Sequence, residues 1–193
     1  MTAALDRRHV VKTLVADRRD LLVVAGLGST AYDLFAAGDH PANFYLWGAM
    51  GGAAMIGLGL ALAQPRRPVL IVTGDGEQLM GLGSFATIGA QQPANLGLVV
   101  IDNERYGETG MQRSHTALGT DLVAVAKACG IASAREIRGS AELDAFVTQM
   151  RRMAAPCFGL IKVAPENPPR VLPPRDGVHL KNRFRQSLGL DVN

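Results

Sequence analysis

Two short groups of residues, each placed at the end of an apolar run, carry side chains that can hold a phosphate and a metal ion. Gly74, Asp75 and Gly76 follow the run PVLIVT, and Asp102 and Asn103 follow the run LVVI. Glycines let backbone N–H groups come close to an anion. Carboxylate and amide oxygens are ligands that Mg²⁺ accepts together with phosphate oxygens and water. The two groups together predict a site for a magnesium-bound diphosphate.

These two groups need a scaffold that brings distant chain segments together. Runs without polar alternation are typical of strands buried on both faces of a parallel sheet, and their alternation with helices indicates an α/β fold. Such runs occur at residues 21–25, 68–73 and 98–101, and we expect further strands at residues 43–46, near 134–137 and at 158–163. We expect a three-layer, doubly wound parallel sheet of about six strands, with both groups at its carboxyl edge, where ligands bind.

Helical patterns between these runs predict the layers that cover the sheet. They occur at residues 5–19, 26–37, 50–63, 79–90, 121–129 and 141–153. After residue 163 the sequence APENPPRVLPPRDG indicates a proline-rich connector, and KNRFRQSLGL predicts a short terminal helix. The expected organisation is one domain over residues 1–165, followed by a connector and helix over residues 166–193.

The composition restricts the class of protein. A hydrophobic fraction of 48%, a charged fraction of 19% and a net charge of +3 describe a globular domain. The basic residues are not interleaved with aromatic ones, which argues against nucleic acid as a partner. The longest apolar stretch, residues 49–63, is shorter than the ~20 residues needed to cross a membrane. The charged N-terminal segment is unlike a signal peptide, and two isolated cysteines indicate a reducing compartment, so we expect a cytoplasmic protein.

The two groups also match the fingerprint of a known family. GDG, followed about 25 residues later by a strand that ends in NN, is the signature of thiamine-diphosphate enzymes, and 25 residues separate Gly76 from Asp102 here. Residues 45–51 (YLWGAMG) resemble another segment of this family, and the resemblance covers roughly residues 20–165. The chain looks most like β-type subunits of sulfopyruvate decarboxylase and the carboxyl-terminal half of phosphonopyruvate decarboxylase, in NFYLWGAMGGAAMIGLGLAL, GDGEQLMGLGSFATIGA and RFRQSLG.

The resemblance implies a role for each residue that matches the family's motifs. The cofactors would be thiamine diphosphate and Mg²⁺, and the metal ligands would be Asp75, the Asn103 side chain and the backbone carbonyl of Arg105. The Gly48 carbonyl would accept a hydrogen bond from the aminopyrimidine, and Met50 would support the bent cofactor. The other implied cofactor-binding residues are Ala49, Gly74, Gly76, Glu77, Tyr106 and Gly107.

Four residues raise further questions about the site. His115 and Glu108 belong to the segment RYGETGMQRSH, which should border the cofactor, and they are candidates for substrate binding or proton transfer. The alternative for both is an ordinary polar loop residue. Asp102 stands where the family has an asparagine, so its charge must be tolerated nearby or face away. Glu77 stands where serine is frequent, which places a second carboxylate close to an anion.

The resemblance also implies a partner and a reaction. In this family a glutamate from a separate pyrimidine-binding domain activates the cofactor, whereas the motifs of this chain are those of the diphosphate-binding domain. We therefore expect a pyrimidine-binding (α-type) subunit of similar size, in a hetero-oligomer such as α2β2 or larger. The implied reaction is decarboxylation of a small 2-oxo acid that bears a second anionic group.

Other functions stay open at this point. The chain could serve a carboligating, acetolactate-synthase-type enzyme, or it could be a non-catalytic cofactor-binding subunit. A 2-oxoacid:ferredoxin oxidoreductase subunit is disfavoured, because two distant cysteines cannot ligate an iron–sulfur cluster. Gly26, Gly28 and Ala31 satisfy the G-x-G-x-x-G/A pattern of dinucleotide sites. The acidic residue that should end the next strand is missing, so close packing of a strand against a helix is the preferred interpretation.

Overall fold

The apolar runs of the sequence form the strands of one parallel sheet. In the computed structural model, which describes residues 4–191, the strands are β1 (Leu22–Ala25), β2 (Asn43–Tyr45), β3 (Val69–Gly74), β4 (Leu96–Asp102), β5 (Arg105–Tyr106), β6 (Gln112–Arg113), β7 (Ser133–Ile137) and β8 (Cys157–Lys162). β5 and β6 pair with each other as an antiparallel hairpin, and the other six strands form the main sheet in the order β2-β1-β3-β4-β8-β7. The α/β fold with about six parallel strands is therefore confirmed.

Helices fill the intervals between the strands. They are α1 (Arg7–Leu14), α2 (Ser29–Ala36), α3 (Ala53–Ala63), α4 (Asp75–Met80), α5 (Ser84–Gln91), α6 (Leu122–Ala128), α7 (Ser140–Arg151) and α8 (Gly177–Ser187), with a 3-10 helix at His115–Leu118. None of the helices within residues 4–191 combines the length and the apolar character needed to span a membrane.

The sheet is buried on both faces because most positions of its central strands β1, β3, β4 and β8 are apolar. In β1, Val23 and Ala25 belong to one cluster of buried side chains, whereas Leu22 and Val24 belong to another. Successive side chains of a strand point to opposite faces, so the two clusters are the two sides of the sheet. The first cluster includes buried residues of α1, α2 and α7, and the second those of α3, α5 and α6, which gives the three expected layers.

The strand order creates a crevice between β1 and β3. After β1 the chain crosses to β2 on one side, and after β3 it crosses to β4 on the other side. In open parallel sheets ligands bind at such a reversal, beyond the carboxyl ends of the two strands. The residues that follow β1 and β3 are therefore placed to contact one ligand.

One predicted helix is wrong in its extent. The segment expected at residues 79–90 is two helices, α4 and α5, and α4 already begins at Asp75. The chain turns between them at residues 81–83, where the backbone of Gly81 packs on the backbone of Gly51. A Cβ atom at Gly81 would lie 2.5 Å from the Gly51 carbonyl oxygen. This contact joins segments thirty residues apart in sequence, so local helical spacing did not reveal it.

The proline-rich segment and α8 pack along the β2 edge of the sheet. The Trp47 indole N–H donates a hydrogen bond to the Pro174 carbonyl at 2.8 Å, and the rings of Phe44 and Phe184 stack edge to face at 5.6 Å. Arg183 forms an ion pair with Asp39 at 2.6 Å. The helix covers strand edges that would otherwise be open to pairing. The expected domain and tail include residues 1–3 and 192–193, which lie outside the described residues.

Candidate active site

Asp75 lies where β3 passes directly into α4. Gly74 is the last residue of the strand and Asp75 is the first of the helix, so no separate loop carries the GDG group. The side chain is buried, with 2% of its surface exposed, and its Oδ2 lies 3.4 Å from the hydroxyl of Thr116. Burial raises the pKa of Asp75 to about 6; the Ser114 hydroxyl acts in the opposite direction, and the charge of Asp102 in the same direction. A cation bound here would offset this unfavourable burial.

Asn103 follows β4 and turns the chain into the hairpin. Its side-chain oxygen accepts a hydrogen bond from the backbone N–H of Arg105 at 3.0 Å, which is the geometry of an Asx turn. Asn103 is buried, and it faces the same cavity as Asp75. The fold thus brings together the two groups that the sequence separates by 25 residues.

A cavity of about 210 Å³ lies at the carboxyl ends of β1 and β3. Most of the site residues expected from the sequence line it, namely Met50, Gly74, Asp75, Gly76, Glu77, Asn103, Arg105, Tyr106, Gly107 and Glu108. Three others do not line it. Gly48 and Ala49 are exposed in the loop between β2 and α3, and His115 is exposed with its ring centroid 6.5 Å from that of Tyr106.

The second glycine of the GDG group is required by its neighbour across the cavity. The ring of Tyr106 lies on Gly76, and a Cβ atom at Gly76 would be only 2.6 Å from Cε1 of that ring. Met50 contacts the same place, since its terminal methyl carbon would be 3.8 Å from such a Cβ atom. The absence of a side chain at Gly76 therefore allows Tyr106 and Met50 to pack against the backbone at this point of the cavity wall.

Glu77, one of the two departures from the family pattern, is directed into the protein between strand ends. Its carboxylate lies against Gly26, where a Cβ atom would be 1.8 Å from Oε2. The other oxygen accepts a hydrogen bond from the backbone N–H of Ala53, at the start of α3, at 3.4 Å. Burial raises the pKa of Glu77, which favours the neutral form of this side chain beside an anion.

Asp102, the other departure, has a cation of its own. Its Oδ2 lies 2.6 Å from the ammonium group of Lys162, which is its neighbour in register on β8. Its Oδ1 accepts hydrogen bonds from the Glu104 backbone N–H at 3.0 Å and from the Thr116 hydroxyl at 2.9 Å. The charge of Asp102 is thus compensated within the chain.

The sequence did not reveal several residues of the site. The cavity is also lined by Leu27, Ser29 and Thr30, from the G-x-G-x-x-A segment that was interpreted as packing alone. The hydroxyl of Thr30 donates to the Gly26 carbonyl at 3.0 Å, and Ser29 begins α2, whose free N–H groups suit an anion. Arg7 of α1 lines the cavity as well, and no motif or spacing singled it out.

The residues present fit a magnesium-bound diphosphate. Among residues 4–191 there is no group of three or more His, Cys, Asp or Glu side chains that could hold a metal ion. Mg²⁺ commonly takes one or two protein oxygens and completes its shell with phosphate oxygens and water. A buried, uncompensated Asp75 beside the neutral Asn103 is a donor set of that kind.

Comparisons with known proteins agree with this geometry. Residues 27–160 match the family described as "Thiamine pyrophosphate enzyme, C-terminal TPP binding domain". Sulfopyruvate decarboxylase subunit beta from Methanocaldococcus jannaschii is 46% identical over 126 residues, a match that covers 65% of this chain and 66% of that protein. Phosphonopyruvate decarboxylase from Streptomyces viridochromogenes is also 46% identical over 126 residues, covering 65% of this chain and 30% of that protein.

A solved structure shows the same fold. Benzoylformate decarboxylase from Polynucleobacter necessarius superposes with a TM-score of 0.70 at 20% identity, over 86% of this chain and 34% of that one. At this identity the likeness concerns the fold alone. The matches cover just under two thirds of the M. jannaschii subunit and about a third or less of the other two proteins.

Proposed function

The chain belongs to the thiamine pyrophosphate (thiamine diphosphate) enzymes, and on that basis we propose that it is the cofactor- and magnesium-binding subunit of a two-subunit 2-oxo acid decarboxylase. The observation that carries the proposal is the single cavity that contains both Asp75 and Asn103 at the carboxyl edge of the sheet. The substrate would be a small 2-oxo acid with a second anionic group. Two relatives named for sulfopyruvate and phosphonopyruvate decarboxylation support this class.

Five residues of the cavity have a defined part in this proposal. Asp75, the Asn103 side chain and the Arg105 carbonyl hold the magnesium ion, and the backbone of Gly76 meets the diphosphate. Met50 supports the cofactor from the side of the loop before α3. When bound, thiamine diphosphate supplies an electron sink for the loss of CO₂. The protein contributes by fixing the metal and the diphosphate and by keeping water away from the buried carboxylate.

The loop that follows β4 provides the candidates for contact with substrate. Glu108 lines the cavity and forms an ion pair with Arg170 at 3.0 Å, so it is the better placed of the two proposed catalytic residues. His115 is exposed beyond Tyr106 and would need the loop to move before it could act. Arg105 lines the cavity, whereas Arg113 of the same loop does not, so Arg105 is the candidate to bind the second anionic group of a substrate.

We also propose a pyrimidine-binding α-type partner of similar size, which would supply the activating glutamate in a hetero-oligomer such as α2β2 or larger. The name "subunit beta" of the M. jannaschii relative supports a partner. Apolar side chains beside the cavity support it too, because Met50 is 41% and Met80 65% exposed. Exposed apolar groups that adjoin half of a site are typical of an interface.

The reducing environment expected from the sequence remains part of this proposal. Cys129 and Cys157 are both free thiols, and Cys157 is buried in the core. Burial raises the pKa of Cys157 to about 12, which makes it unreactive as a nucleophile. Both features support a cytoplasmic enzyme without structural disulfides.

The proposal can be tested by reconstituting the enzyme. We expect CO₂ release from 3-sulfopyruvate or 3-phosphonopyruvate when the chain is mixed with its α-type partner, thiamine diphosphate and Mg²⁺, and none when the partner is omitted. Asp75→Asn should abolish turnover, whereas Asp144→Asn, the same change at an exposed position of α7, should not. Full turnover by the chain alone would contradict the need for an α-type subunit. Formation of acetolactate from pyruvate, without decarboxylation of 3-sulfopyruvate or 3-phosphonopyruvate, would contradict the proposed reaction.

A further inference from the structure

Arg7 is a buried arginine in the wall of the proposed cofactor cavity, and it lies outside residues 27–160, which match the family. It is the first residue of α1 and is only 4% exposed. The backbone before it pairs with the end of β8 through Leu5 and Val163, which brings the N-terminus of α1 to the carboxyl edge of the sheet. Arg7 therefore shares a cavity with Asp75 and Asn103, although it lies almost seventy residues from the nearer of them.

The guanidinium group of Arg7 is held on one side only. Its Nε donates a hydrogen bond to Oδ2 of the buried Asp33 at 2.5 Å. Arg8 approaches the other oxygen of that carboxylate at 3.5 Å. Among residues 4–191, the hydrogen bonds of the Arg7 side chain use Nε and leave both terminal nitrogens without a protein partner. A rigid group of N–H donors thus remains available at the cavity wall.

A cationic hydrogen-bond donor in the cavity wall would offset the negative charge of a bound diphosphate. Its lining includes the acidic residues Asp75 and Glu108, and a diphosphate carries more negative charge than one Mg²⁺ neutralises. Glu108 is paired with Arg170, whereas the contacts of Asp75 with the described residues 4–191 include no ion pair. A buried guanidinium interacts with phosphate more strongly than an exposed one, because the local dielectric is low, and its planar fork matches phosphate geometry.

We propose that Arg7 binds the terminal phosphate of thiamine diphosphate through its two terminal nitrogens, while Asp33 fixes the orientation of the guanidinium. Arg7 lines the same cavity as Asn103 and the strand-end residue Ile101, which is the cavity proposed to hold the metal and the phosphates. The inference rests on the cofactor part of the proposed function and is independent of the reaction and the substrate.

The test compares two ligands that differ by one phosphate. The variant is Arg7→Gln combined with Asp33→Asn, which leaves no unpaired buried charge in their place. Dissociation constants of thiamine diphosphate and thiamine monophosphate are measured by titration calorimetry on the full-length chain with saturating Mg²⁺. We expect affinity for the diphosphate to fall about 10- to 100-fold, the range for a lost hydrogen bond to a charged group, and affinity for the monophosphate to change much less.

Two further measurements separate this role from a structural one. Arg8→Gln is the matched control, because Arg8 also approaches Asp33 but does not line the cofactor cavity, and it should leave both dissociation constants unchanged. Arg7→Lys retains the charge without the fork, and it should weaken the diphosphate partly and shift the ³¹P resonance of the bound terminal phosphate.

Three outcomes would overturn the inference. An equal loss of affinity for both ligands would indicate a general distortion of the site. Unchanged affinity for both ligands would show that Arg7 and Asp33 form an ion pair with a structural role only. Normal cofactor binding with a raised KM for the anionic substrate would assign Arg7 to the substrate instead. Because all readouts but the last concern binding, a failure to find decarboxylation would leave the test of Arg7 intact.

Discussion

Two buried aspartates end neighbouring strands of the sheet, and they differ in what compensates their charge. Asp102, after β4, has the ammonium group of Lys162 at 2.6 Å. Asp75, after β3, has the Thr116 hydroxyl at 3.4 Å and no cation from this chain among the contacts of the described residues. The two carboxyl groups are nearly equally buried, at 0% and 2% exposure. Burial alone therefore does not distinguish a structural aspartate from a ligand-binding one.

The difference indicates what each carboxylate is for. A buried charge that already has a partner is compensated within the fold and is unavailable to a ligand. A buried charge without a partner is tolerated where a ligand will compensate it. Burial and the charge of Asp102 both raise the pKa of Asp75, which agrees with the proposed role of Asp75 as a metal ligand. The aspartate at position 102 is thus accommodated by its ion pair with Lys162.

The largest effect should come from removing the cation of the structural pair. Lys162→Met leaves Asp102 buried and uncompensated, so we expect the free energy of unfolding to fall by about 3–5 kcal/mol. It is measured by urea unfolding of the chain without cofactor. Adding Asp102→Asn to this variant should recover most of the loss, because the unpaired charge disappears.

The matched control for that change is Lys127→Met, at an exposed position of α6. It should alter the free energy of unfolding by no more than about 0.5 kcal/mol. A loss of less than about 1 kcal/mol for Lys162→Met would mean that the pair behaves like a surface ion pair. The contrast between the two aspartates would then be wrong.

The next prediction concerns Asp75, whose substitution should lower the affinity for the cofactor but raise the stability of the chain without cofactor. Asp75→Asn should weaken Mg²⁺-dependent binding of thiamine diphosphate by about 100-fold or more, because the charged metal ligand is lost. The same change should raise the unfolding free energy of the chain in EDTA by about 1–2 kcal/mol, because a desolvated carboxylate is replaced by a neutral amide. Calorimetric titration and urea unfolding measure the two quantities.

Asp144→Asn serves again as the control, since it makes the same chemical change on an exposed helix face. It should leave both quantities unchanged. A loss of stability in Asp75→Asn without cofactor would show that Asp75 is compensated within the chain after all, like Asp102.

A smaller effect is expected at the residue that touches both carboxylates. The Thr116 hydroxyl lies 2.9 Å from Asp102 and 3.4 Å from Asp75. Thr116→Val should lower the unfolding free energy by about 1–2 kcal/mol, as for a lost hydrogen bond to a charged group. Thr148→Val is the control, since that hydroxyl bonds only a carbonyl of its own helix, and an equal loss in both variants would contradict a special role for Thr116.

Much of the fold and the cofactor class could be predicted from local sequence. The strands β1, β3 and β4 are largely continuous apolar runs, which is the pattern that burial on both faces requires, and all six expected strands are present. Membership of the thiamine-diphosphate enzymes is confirmed by the family match over residues 27–160. The GDG group and Asn103 were recognised because each directly follows a strand and their spacing is characteristic.

The contacts that the sequence did not reveal join segments far apart in the chain. Lys162 meets Asp102 because β8 lies beside β4 in the sheet, with β7 outside it, and no local pattern gives that strand order. Arg7 reaches the cavity through the pairing of Leu5 with Val163. The roles of individual site residues, including Glu108 and His115, remain predictions that the cavity geometry supports to different degrees.

The smallest effect is expected when position 102 is returned to the family's residue. Asp102→Asn retains an acceptor for the Glu104 backbone N–H and for the Thr116 hydroxyl, and Lys162 keeps a second partner in the Glu104 carboxylate at 2.8 Å. Lys162 is also 15% exposed, so water can solvate part of its charge. We expect the unfolding free energy to fall by about 1 kcal/mol or less and the affinity for thiamine diphosphate to stay within about threefold of wild type. A loss of affinity as large as that of Asp75→Asn would show that Asp102 acts at the metal, and the two aspartates would then form one site.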